Sequence, residues 1–388
     1  MADKKTILIF NNYYLPGYKA GGPIRSISNL VEWLGDKFNF KIITTDRDSF
    51  EEESYDGIKV NDWNRVGNAD VYYLKKEDLS FGHLYKVLKE TEYDAVYLNS
   101  FFNLWFSIIP LFILKYLIRF APQKILLVPR GELSDGALDQ KTFKKKLFLK
   151  VIRLFRLHNT IMWQATNNEE QKEIQHYFDA SDNQIQIASN LPKKVEPYEF
   201  KEIDKEVGEL RIVFLSRISP KKNLDYALET LSKITNEKIV FDIYGSISNQ
   251  SYWDKCQSII DQLPDDICIR YKGSIENKFV VKTLDQYHLF FLPTKGENFG
   301  HAIYESMLSG TPVLISDQTP WRKLEERGLG WDIDLSKKEK FIQIIRQLAD
   351  ENMHQSNSRK ERVRNSILSD DIMEEVRRNR LMLNRIIK

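Results

Sequence analysis

Apolar runs alternate with helical patterns along the first half of the chain. Short runs rich in β-branched and aromatic residues predict strands at 6–12, 41–45, 70–74 and 95–99, and a further strand that begins at 125 and ends in the turn 129–131. The segments between them are helical or rich in turn residues, and 24–34 has apolar positions at helical spacing. This alternation predicts a parallel sheet with helices on both faces.

The second half repeats the pattern after a break. Residues 189–209 are rich in charge, contain Pro192 and Pro197 and show no clear period, so they form the candidate linker between two domains. A second α/β series follows, with predicted strands at 211–215, 239–245, 267–273, 288–292 and 312–316. With 388 residues, the chain is too long for one ordinary core and suits two domains.

Two segments bear on membrane contact. Residues 101–120 are mostly apolar but include a proline and two cations, which favours a helix packed on the sheet over a spanning helix, with membrane contact as the alternative. Residues 141–168 contain no acidic side chain, and cations alternate with apolar residues over 141–156. This pattern predicts a basic amphipathic helix, which lies either on an anionic membrane surface or on the sheet with its lysines in water.

Composition narrows the class of protein. A hydrophobic content of 42%, a charged content of 29% and a net charge of +2 suit a globular protein and disfavour a polybasic nucleic-acid binder. The two cysteines, Cys256 and Cys268, fit no zinc or CxxC spacing. The first ten residues hold two lysines and one short apolar run, which predicts no signal peptide and a cytoplasmic protein.

The candidate chemistry concentrates at residues 293–305. This stretch follows the predicted strand 288–292 and leads into a helix that should stop near Gly310. We expect Asn298 to cap the helix and Gly300 to let a ligand approach the backbone. The first N–H groups of the helix and the positive end of its dipole then make an anion site.

Glu297 and Glu305 flank this anion site. In a continuous helix they would lie about 12 Å apart on roughly one face. Because carboxylates repel phosphate, their useful partners are hydroxyl groups, and a ligand with hydroxyls on both sides of a diphosphate is a sugar nucleotide. The alternative is a pair of ordinary surface charges.

A second polar turn follows the predicted strand 211–215. Arg217 and Lys222 lie five residues apart across it, with Lys221 between them. Arg217 and Lys222 can both bind one diphosphate: the Arg side chain offers a planar set of N–H donors and the Lys side chain a compact positive charge. We expect Lys221 to be solvated.

Together these motifs resemble the retaining glycosyltransferases of family GT4. Glu297 and Glu305 match the E-x7-E pattern of that family, and Arg217 and Lys222 match the Arg and Lys that hold the donor pyrophosphate. The resemblance covers nearly the whole chain. It implies that Arg217, Lys222 and Glu297 carry the catalytic chemistry.

The resemblance also implies a fold and its division. The expected fold is α/β, the GT-B fold, with two facing Rossmann-like domains and a cleft between them. Residues 1–195 would form the acceptor-binding domain and 205–370 the nucleotide-sugar domain, with a helix at 371–388 crossing back to the first domain.

Further residues take donor-binding roles from the resemblance. In the family, the first Glu and the backbone groups after it touch the donor sugar, and the second Glu binds the ribose. A glycine-rich loop after the first strand approaches the donor phosphates or the acceptor; the loop here lacks the spacing of dinucleotide and P-loop motifs. The matching positions are Asn298, Phe299, Gly300, Glu305, Gly21 and Gly22. Backbone groups after the predicted strands 239–245 and 267–273 are expected near the base.

The turn Pro129-Arg130-Gly131 ends a predicted strand at the edge where open α/β sheets bind ligands. Many GT4 members have His-Gly here, with the His facing the donor sugar, and Pro-Arg-Gly resembles one branch of the family. Two roles stay open for Arg130: it binds oxygens of the donor or acceptor, or it pairs with a carboxylate such as Glu132.

The implied activity is transfer of a sugar from a nucleotide-diphosphate sugar, with retention at the anomeric carbon. The expected acceptor is a glycan or a lipid-linked oligosaccharide in bacterial surface polysaccharide biosynthesis, with contact at the inner membrane surface left open. The alternatives are a GT-B nucleotide-sugar epimerase and a non-catalytic sugar-nucleotide scaffold of a polysaccharide assembly complex. An NAD-dependent oxidoreductase is disfavoured because the glycine fingerprint is missing.

No metal site is predicted. The six histidines show no convincing pair, and the DxD strings at 46–48 and 332–334 lie outside the context in which another glycosyltransferase fold holds a cation. We therefore expect no cofactor besides the donor substrate, and no nucleic-acid partner.

Overall fold

The computed structural model describes residues 4–133, 149, 152, 153, 155–159, 161–194, 201–368 and 372–388. The chain divides into a first unit, Met1–Lys194 with Asp371–Lys388, and a second unit, Val195–Asp370. Each unit is built on one sheet. Most of the basic helix predicted at 141–156 lies outside the described residues.

Eight strands in the described part of the first unit form one sheet: β1 (Thr6–Phe10), β2 (Asn39–Thr45), β3 (Trp63–Val66), β4 (Ala69–Leu74), β5 (Ala95–Leu98), β6 (Ile125–Leu127), β7 (Met162–Ala165) and β8 (Ile185–Ile187). Their order is β3-β4-β2-β1-β5-β6-β7-β8. Neighbours are parallel except β3 and β4, which form an antiparallel hairpin at the edge.

The sheet of the second unit has six strands in its described part: β9 (Glu209–Leu215), β10 (Lys238–Tyr244), β11 (Ile267–Gly273), β12 (Leu289–Leu292), β13 (Val313–Ser316) and β14 (Gly330–Ile333). All neighbours are parallel, in the order β11-β10-β9-β12-β13-β14. The order reverses between β9 and β12, and in the first sheet between β1 and β5. Ligands of open α/β sheets bind at such reversals, outside the carboxyl ends of the strands.

The helices of the described chain are α1 (Gly22–Leu34), α2 (Phe81–Glu90), α3 (Ile109–Phe112), α4 (Asn168–Phe178), α5 (Leu224–Leu231), α6 (Gln250–Ile260), α7 (Val280–Leu284), α8 (His301–Leu308), α9 (Lys338–Ala349), α10 (Met353–Leu368) and α11 (Ile372–Ile387). The π-helical segments Leu104–Ile108 and Ile113–Ile118 flank α3. Short 3-10 turns occupy Lys76–Asp78, Pro122–Lys124, Asp182–Gln184 and Asn277–Phe279. Side chains of Ser80, Asn167 and Asn249 cap α2, α4 and α6 by accepting a backbone N–H.

Both faces of the first sheet are buried. Along β1, Ile7 and Ile9 join one apolar layer while Leu8 and Phe10 join the other, as the two-residue period of a strand requires. The segment predicted as a packed helix at 101–120 contributes buried residues to the second of these layers, so that prediction is confirmed. No helix in the described ranges has the length and apolar character needed to cross a membrane.

A buried histidine lies at the amino end of β12. The Nδ1 atom of His288 accepts a hydrogen bond from the Arg211 backbone N–H at 3.0 Å, and its Nε2 atom lies 3.2 Å from the Asp204 carbonyl oxygen. The ring is therefore the neutral tautomer that donates from Nε2. Burial, with the nearby Arg211 cation, lowers the pKa of His288 to about 3.

Acid should destabilise the second unit through His288. An unfolded histidine titrates near pH 6.5, so between about pH 3 and 6.5 the unfolded state binds more protons and stability falls as the pH falls. From pH 7 to pH 5 the expected loss is about 2 kcal/mol. Urea unfolding at both pH values would measure it. His288→Asn keeps an acceptor for Arg211 without titrating, so equal acid sensitivity of the variant and the wild type would contradict this assignment.

Candidate active site

The loops that follow β9 and β12 lie side by side at the reversal of the second sheet. Three hydrogen bonds join them: Lys295 N to Lys221 O at 2.8 Å, Asn223 Nδ2 to Pro293 O at 2.9 Å, and Thr294 Oγ1 to Lys221 O at 3.1 Å. Because both ends of the contact are backbone groups or buried side chains, the two loops form one framework. The sequence motifs around Arg217 and Glu297 are brought together here.

Lys222 and Glu297 form an ion pair across this framework. The Nζ atom of Lys222 donates to Oε1 of Glu297, and the two side chains are only 12% and 13% exposed. The Glu297 backbone N–H donates to Gln318 O at 3.1 Å, which ties the backbone of this residue to the loop after β13 as well. The structure thus places a predicted phosphate ligand and a predicted sugar ligand in direct contact with each other.

Arg217 stands apart from this pair. Its side chain is exposed, and within the described chain its guanidinium makes no hydrogen bond or ion pair. The turn around it is held by its neighbour, since the Ile218 N–H donates to Ser246 O at 2.9 Å and Ser248 Oγ donates to Ile218 O at 2.8 Å. The guanidinium N–H groups of Arg217 are therefore available to a ligand, and the turn that carries them is held in place by hydrogen bonds of Ile218.

Gly300, and not Asn298, is the N-cap of α8. Its φ of 78° lies in the left-handed region, and no side chain caps the helix, so the prediction that Asn298 caps it is wrong. A Cβ at position 300 would lie 2.7 Å from the Ile303 side chain, so the position needs glycine for space as well as for backbone geometry. Since the helix begins at His301, the 12 Å helical spacing assumed between Glu297 and Glu305 does not apply.

Phe299 and Glu305 are both buried. The Phe299 ring packs against Trp321 at 5.5 Å, and its carbonyl accepts from Trp321 Nε1 at 2.5 Å, so the backbone after Glu297 is fixed. Glu305 lies in the second turn of α8 and is 3% exposed. The alternative that Glu305 is an ordinary surface charge is therefore wrong.

The glycine-rich loop of the first unit begins α1. Gly21 is the N-cap, with φ of 69°, and Gly22 is the first helical residue. A Cβ at either position would meet nothing within 4 Å. Both glycines therefore face open space, and their donor-binding role stays a prediction.

Arg130 is held by neutral partners. Its Nε donates to Asn99 Oδ1 at 2.7 Å, one Nη donates to Tyr97 Oη at 2.5 Å, and the other donates to Asn190 Oδ1. Glu132 instead accepts from the backbone N–H groups of residues 101 and 102, at 2.6 and 2.9 Å. Pairing of Arg130 with Glu132 is thus wrong. Two of the five guanidinium N–H groups stay available, and no carboxylate touches the cation within the described residues.

The DxD strings have structural partners. Asp46 pairs with Arg47 at 2.9 Å, and the other three carboxylates, Asp48, Asp332 and Asp334, accept hydrogen bonds from backbone N–H groups. Among the residues described, no group of three or more His, Cys, Asp or Glu side chains has the arrangement of a metal site.

Comparison with known proteins finds a family match within the second unit. Residues 196–366 match the sequence model of the family "Glycosyl transferases group 1". A curated relative, described as an uncharacterized 41.2 kDa protein in the cps region of Klebsiella pneumoniae, is 22% identical over 269 residues, covering 67% of this chain and 70% of that protein.

Solved structures with a similar fold cover almost the whole chain. Anabaena Alr3699/HepE, in complex with UDP-glucose, matches with a TM-score of 0.69 at 14% identity, over 98% of this chain and 99% of that one. WaaG, a glycosyltransferase involved in lipopolysaccharide biosynthesis, matches with a TM-score of 0.63 at 11% identity, over 96% and 97%. At these identities the likeness shows the fold. The predicted GT-B fold is confirmed.

Proposed function

We propose that the chain is a retaining glycosyltransferase, and the match of residues 196–366 to the family "Glycosyl transferases group 1" supports this proposal. It moves a sugar from a nucleotide-diphosphate sugar to a glycan or a lipid-linked oligosaccharide. The process is bacterial surface polysaccharide biosynthesis.

The observation that carries the proposal is the Lys222–Glu297 pair at the reversal of the second sheet. A sugar nucleotide places a polyhydroxyl ring next to an anionic diphosphate. A cation and a carboxylate in contact, each largely shielded from water, match these two neighbouring groups. In the free protein they neutralise each other, which reduces the cost of keeping either charge out of water.

The chemistry follows from these positions. When the donor binds, Lys222 turns to the diphosphate and Glu297 accepts from a sugar hydroxyl. The bond from the anomeric carbon to the diphosphate oxygen breaks, and the acceptor oxygen attacks from the same face while its proton passes to the departing phosphate. Lys222, Arg217 and the N-terminus of α8 after Gly300 stabilise the charge on the leaving group, and of these the backbone N–H groups of α8 are already in place in the free protein.

Details of the donor and pathway rest on the relatives. The complex of HepE with UDP-glucose supports a UDP-sugar as donor. The cps location of the Klebsiella relative and the role of WaaG in lipopolysaccharide biosynthesis support a surface polysaccharide as product. Arg130 and the Gly21–Gly22 turn would bind donor or acceptor oxygens.

Contact with the cytoplasmic face of the membrane belongs to the proposal too. Its support is an exposed apolar group on the first unit, in which Tyr116, Leu117 and Phe155 are 42%, 47% and 49% exposed. The Tyr116 and Phe155 rings both pack on Phe112. Arg156 is exposed beside Phe155, and sedimentation with phosphatidylglycerol and phosphatidylcholine vesicles would test whether this surface binds anionic lipid.

The donor site is tested by a thermal-shift screen against UDP, GDP, ADP and their common sugar conjugates, with and without magnesium. We expect one nucleotide to raise Tm, since a ligand that binds the native state stabilises it by mass action. Lys222→Met should weaken binding of that nucleoside diphosphate about tenfold or more, because a charge-assisted contact is lost.

Lys238→Met is the matched control, because Lys238 is 74% exposed at the amino end of β10, away from the carboxyl edge. It should bind the nucleotide as the wild type does. Absence of a shift with every nucleotide would contradict the proposed enzyme. Release of an epimerised sugar without acceptor would favour an epimerase.

A further inference from the structure

A pocket of about 250 Å³ opens at the carboxyl edge of the first sheet. Its lining comes from the segments that follow β1, β2, β4 and β5, which include the reversal point of this sheet: Asn12, Tyr13, Thr45, Arg47, Asp48, Phe50, Glu51, Lys76, Leu79, Asn103, Trp105 and Phe106. Pockets for drug-sized ligands span roughly 300–1,000 Å³. This pocket therefore suits something smaller, of the size of one monosaccharide.

Some polar groups of the lining belong to the framework. Arg47 is bound to Asp46 at 2.9 Å and to Glu77 at 2.9 Å. The Asp48 carboxylate accepts from the backbone N–H groups of Tyr18 and Lys19 at 2.6 and 2.9 Å, which orders the loop that leads to Gly21. These groups shape the pocket, and most of their hydrogen-bonding capacity is already used within the fold.

Other polar groups are uncommitted. The amide of Asn12, the hydroxyl of Tyr13, the ammonium of Lys76 and the indole N–H of Trp105 form no hydrogen bond or ion pair with any described residue. Together they offer donors and acceptors to a ligand with several hydroxyls. The ionised residues of the lining are two cations and two carboxylates, so the pocket has no net charge to attract an anion.

Phe50 gives the pocket an aromatic wall at a conformational cost. It is the third residue of a turn closed by Glu51 N to Asp48 O at 3.2 Å, and its φ is 69°. That position of a turn favours glycine or asparagine, and a bulky residue there is strained. The ring is nevertheless 64% exposed, so it gains little from burial in the fold. A strained, exposed aromatic residue points to a ligand contact.

We propose that this pocket binds one uncharged sugar ring of the acceptor, an inference that rests on the proposed glycosyltransferase function. A pyranose presents C–H groups on its faces and hydroxyls around its rim. The rings of Phe50, Tyr13 and Trp105 pack on the C–H faces of the sugar. The uncommitted polar groups of Asn12, Tyr13 and Lys76 bind its hydroxyls. Phe50 is then a specificity-determining residue.

The test measures binding of methyl glycosides to the full chain by saturation-transfer NMR. The panel consists of the methyl glycosides of glucose, galactose, mannose, N-acetylglucosamine and rhamnose. We expect at least one glycoside to bind and Phe50→Gly to raise its Kd about tenfold. Glycine removes the ring but accepts the positive φ, so this variant should keep the loop folded. Phe50→Tyr keeps the ring and should bind as the wild type does.

Phe279→Gly removes another exposed aromatic ring, 47% exposed on the second unit, and should leave glycoside binding unchanged. The proposal is overturned if no glycoside of the panel binds, or if Phe50→Gly binds as tightly as the wild type. Binding of UDP-glucose to the wild-type protein is measured separately. Its failure would contradict the proposed function, whereas failure of glycoside binding alone would contradict only the pocket.

Discussion

Glu297→Gln should lose most donor turnover and yet bind free nucleoside diphosphate more tightly. In the free protein Glu297 occupies Lys222, the cation assigned to the diphosphate, so the two ligands of the site compete. Glutamine keeps the size of the side chain but removes the charge that holds Lys222. The sugar loses its orienting carboxylate, while the diphosphate gains an unoccupied cation.

The expected changes in turnover and in diphosphate affinity follow from the contacts that the substitution removes. Removing one preset polar group from a transition-state site costs about 100- to 1,000-fold in turnover. A partly shielded ion pair is worth about 1 kcal/mol, so releasing Lys222 should tighten the diphosphate about fivefold. Release of UDP from UDP-glucose measures the first quantity and calorimetry with UDP measures the second.

Glu325→Gln is the control, since Glu325 is an exposed carboxylate outside the site. It should change neither quantity. Wild-type turnover in Glu297→Gln would refute the orienting role of the carboxylate. Weaker binding of UDP would refute the competition, and would show that the pair is needed to position Lys222.

This prediction depends on a contact that the sequence does not contain. Spacing and residue type identify Lys222 and Glu297 separately, because each follows a strand of the second sheet. Their contact depends on β9 and β12 being neighbours, which is a property of the sheet order. From the sequence alone, loss of Glu297 is expected to leave nucleotide affinity mostly intact.

Arg130 illustrates the same limit. A carboxylate two residues away is the nearest partner along the chain, yet Asn99, Tyr97 and Asn190 take the guanidinium. Those partners lie 31 to 60 residues away in sequence. Only the parallel order of β5, β6 and the strands beyond brings them together, and side-chain pairing across a sheet has no local pattern in the sequence.

The strands show where local pattern is sufficient. The mostly exposed edge strand β11 has the predicted limits, because every residue of the run is compatible with a strand. The strand predicted to end in the turn at Pro129 stops at Leu127, and the left-handed Arg130 then leaves the extended region. β7 was not predicted because it contains Gln164, a buried amide that is satisfied by Tyr97 Oη at 2.8 Å and by Ala188 O at 2.7 Å.

Gly245→Ala should destabilise the second unit by about 4 kcal/mol or more, the range of severe core substitutions. Gly245 follows β10 with φ of 146°, and a Cβ there would lie 1.8 Å from the Ser216 carbonyl oxygen. Neither of these two backbone segments can move away without losing a hydrogen bond. Ser216 N donates to Tyr244 O at 3.1 Å, and Gly245 N donates to Gly273 O at 2.8 Å. Relieving the clash would break these hydrogen bonds at the carboxyl ends of β9, β10 and β11.

The substitution should also abolish nucleotide binding in whatever fraction stays folded. Ser216 immediately precedes Arg217 and begins the loop that carries Lys222, so displacement of its carbonyl displaces both cations. Gly273→Ala is the matched control: φ is 69°, but a Cβ meets nothing within 4 Å, so the expected cost is about 1–2 kcal/mol of backbone strain. Urea unfolding and the UDP thermal shift measure both effects.

These variants also separate two explanations of Gly245. The sequence suggests a glycine whose backbone meets the nucleotide base, whereas the structure shows a glycine that admits the backbone of Ser216, the residue that follows β9. If Gly245→Ala is as stable as Gly273→Ala and only nucleotide binding is lost, the base contact is the reason for the glycine. If stability falls far more than in Gly273→Ala, the close approach of the two strand ends is the reason, and the positions of Arg217 and Lys222 depend on it.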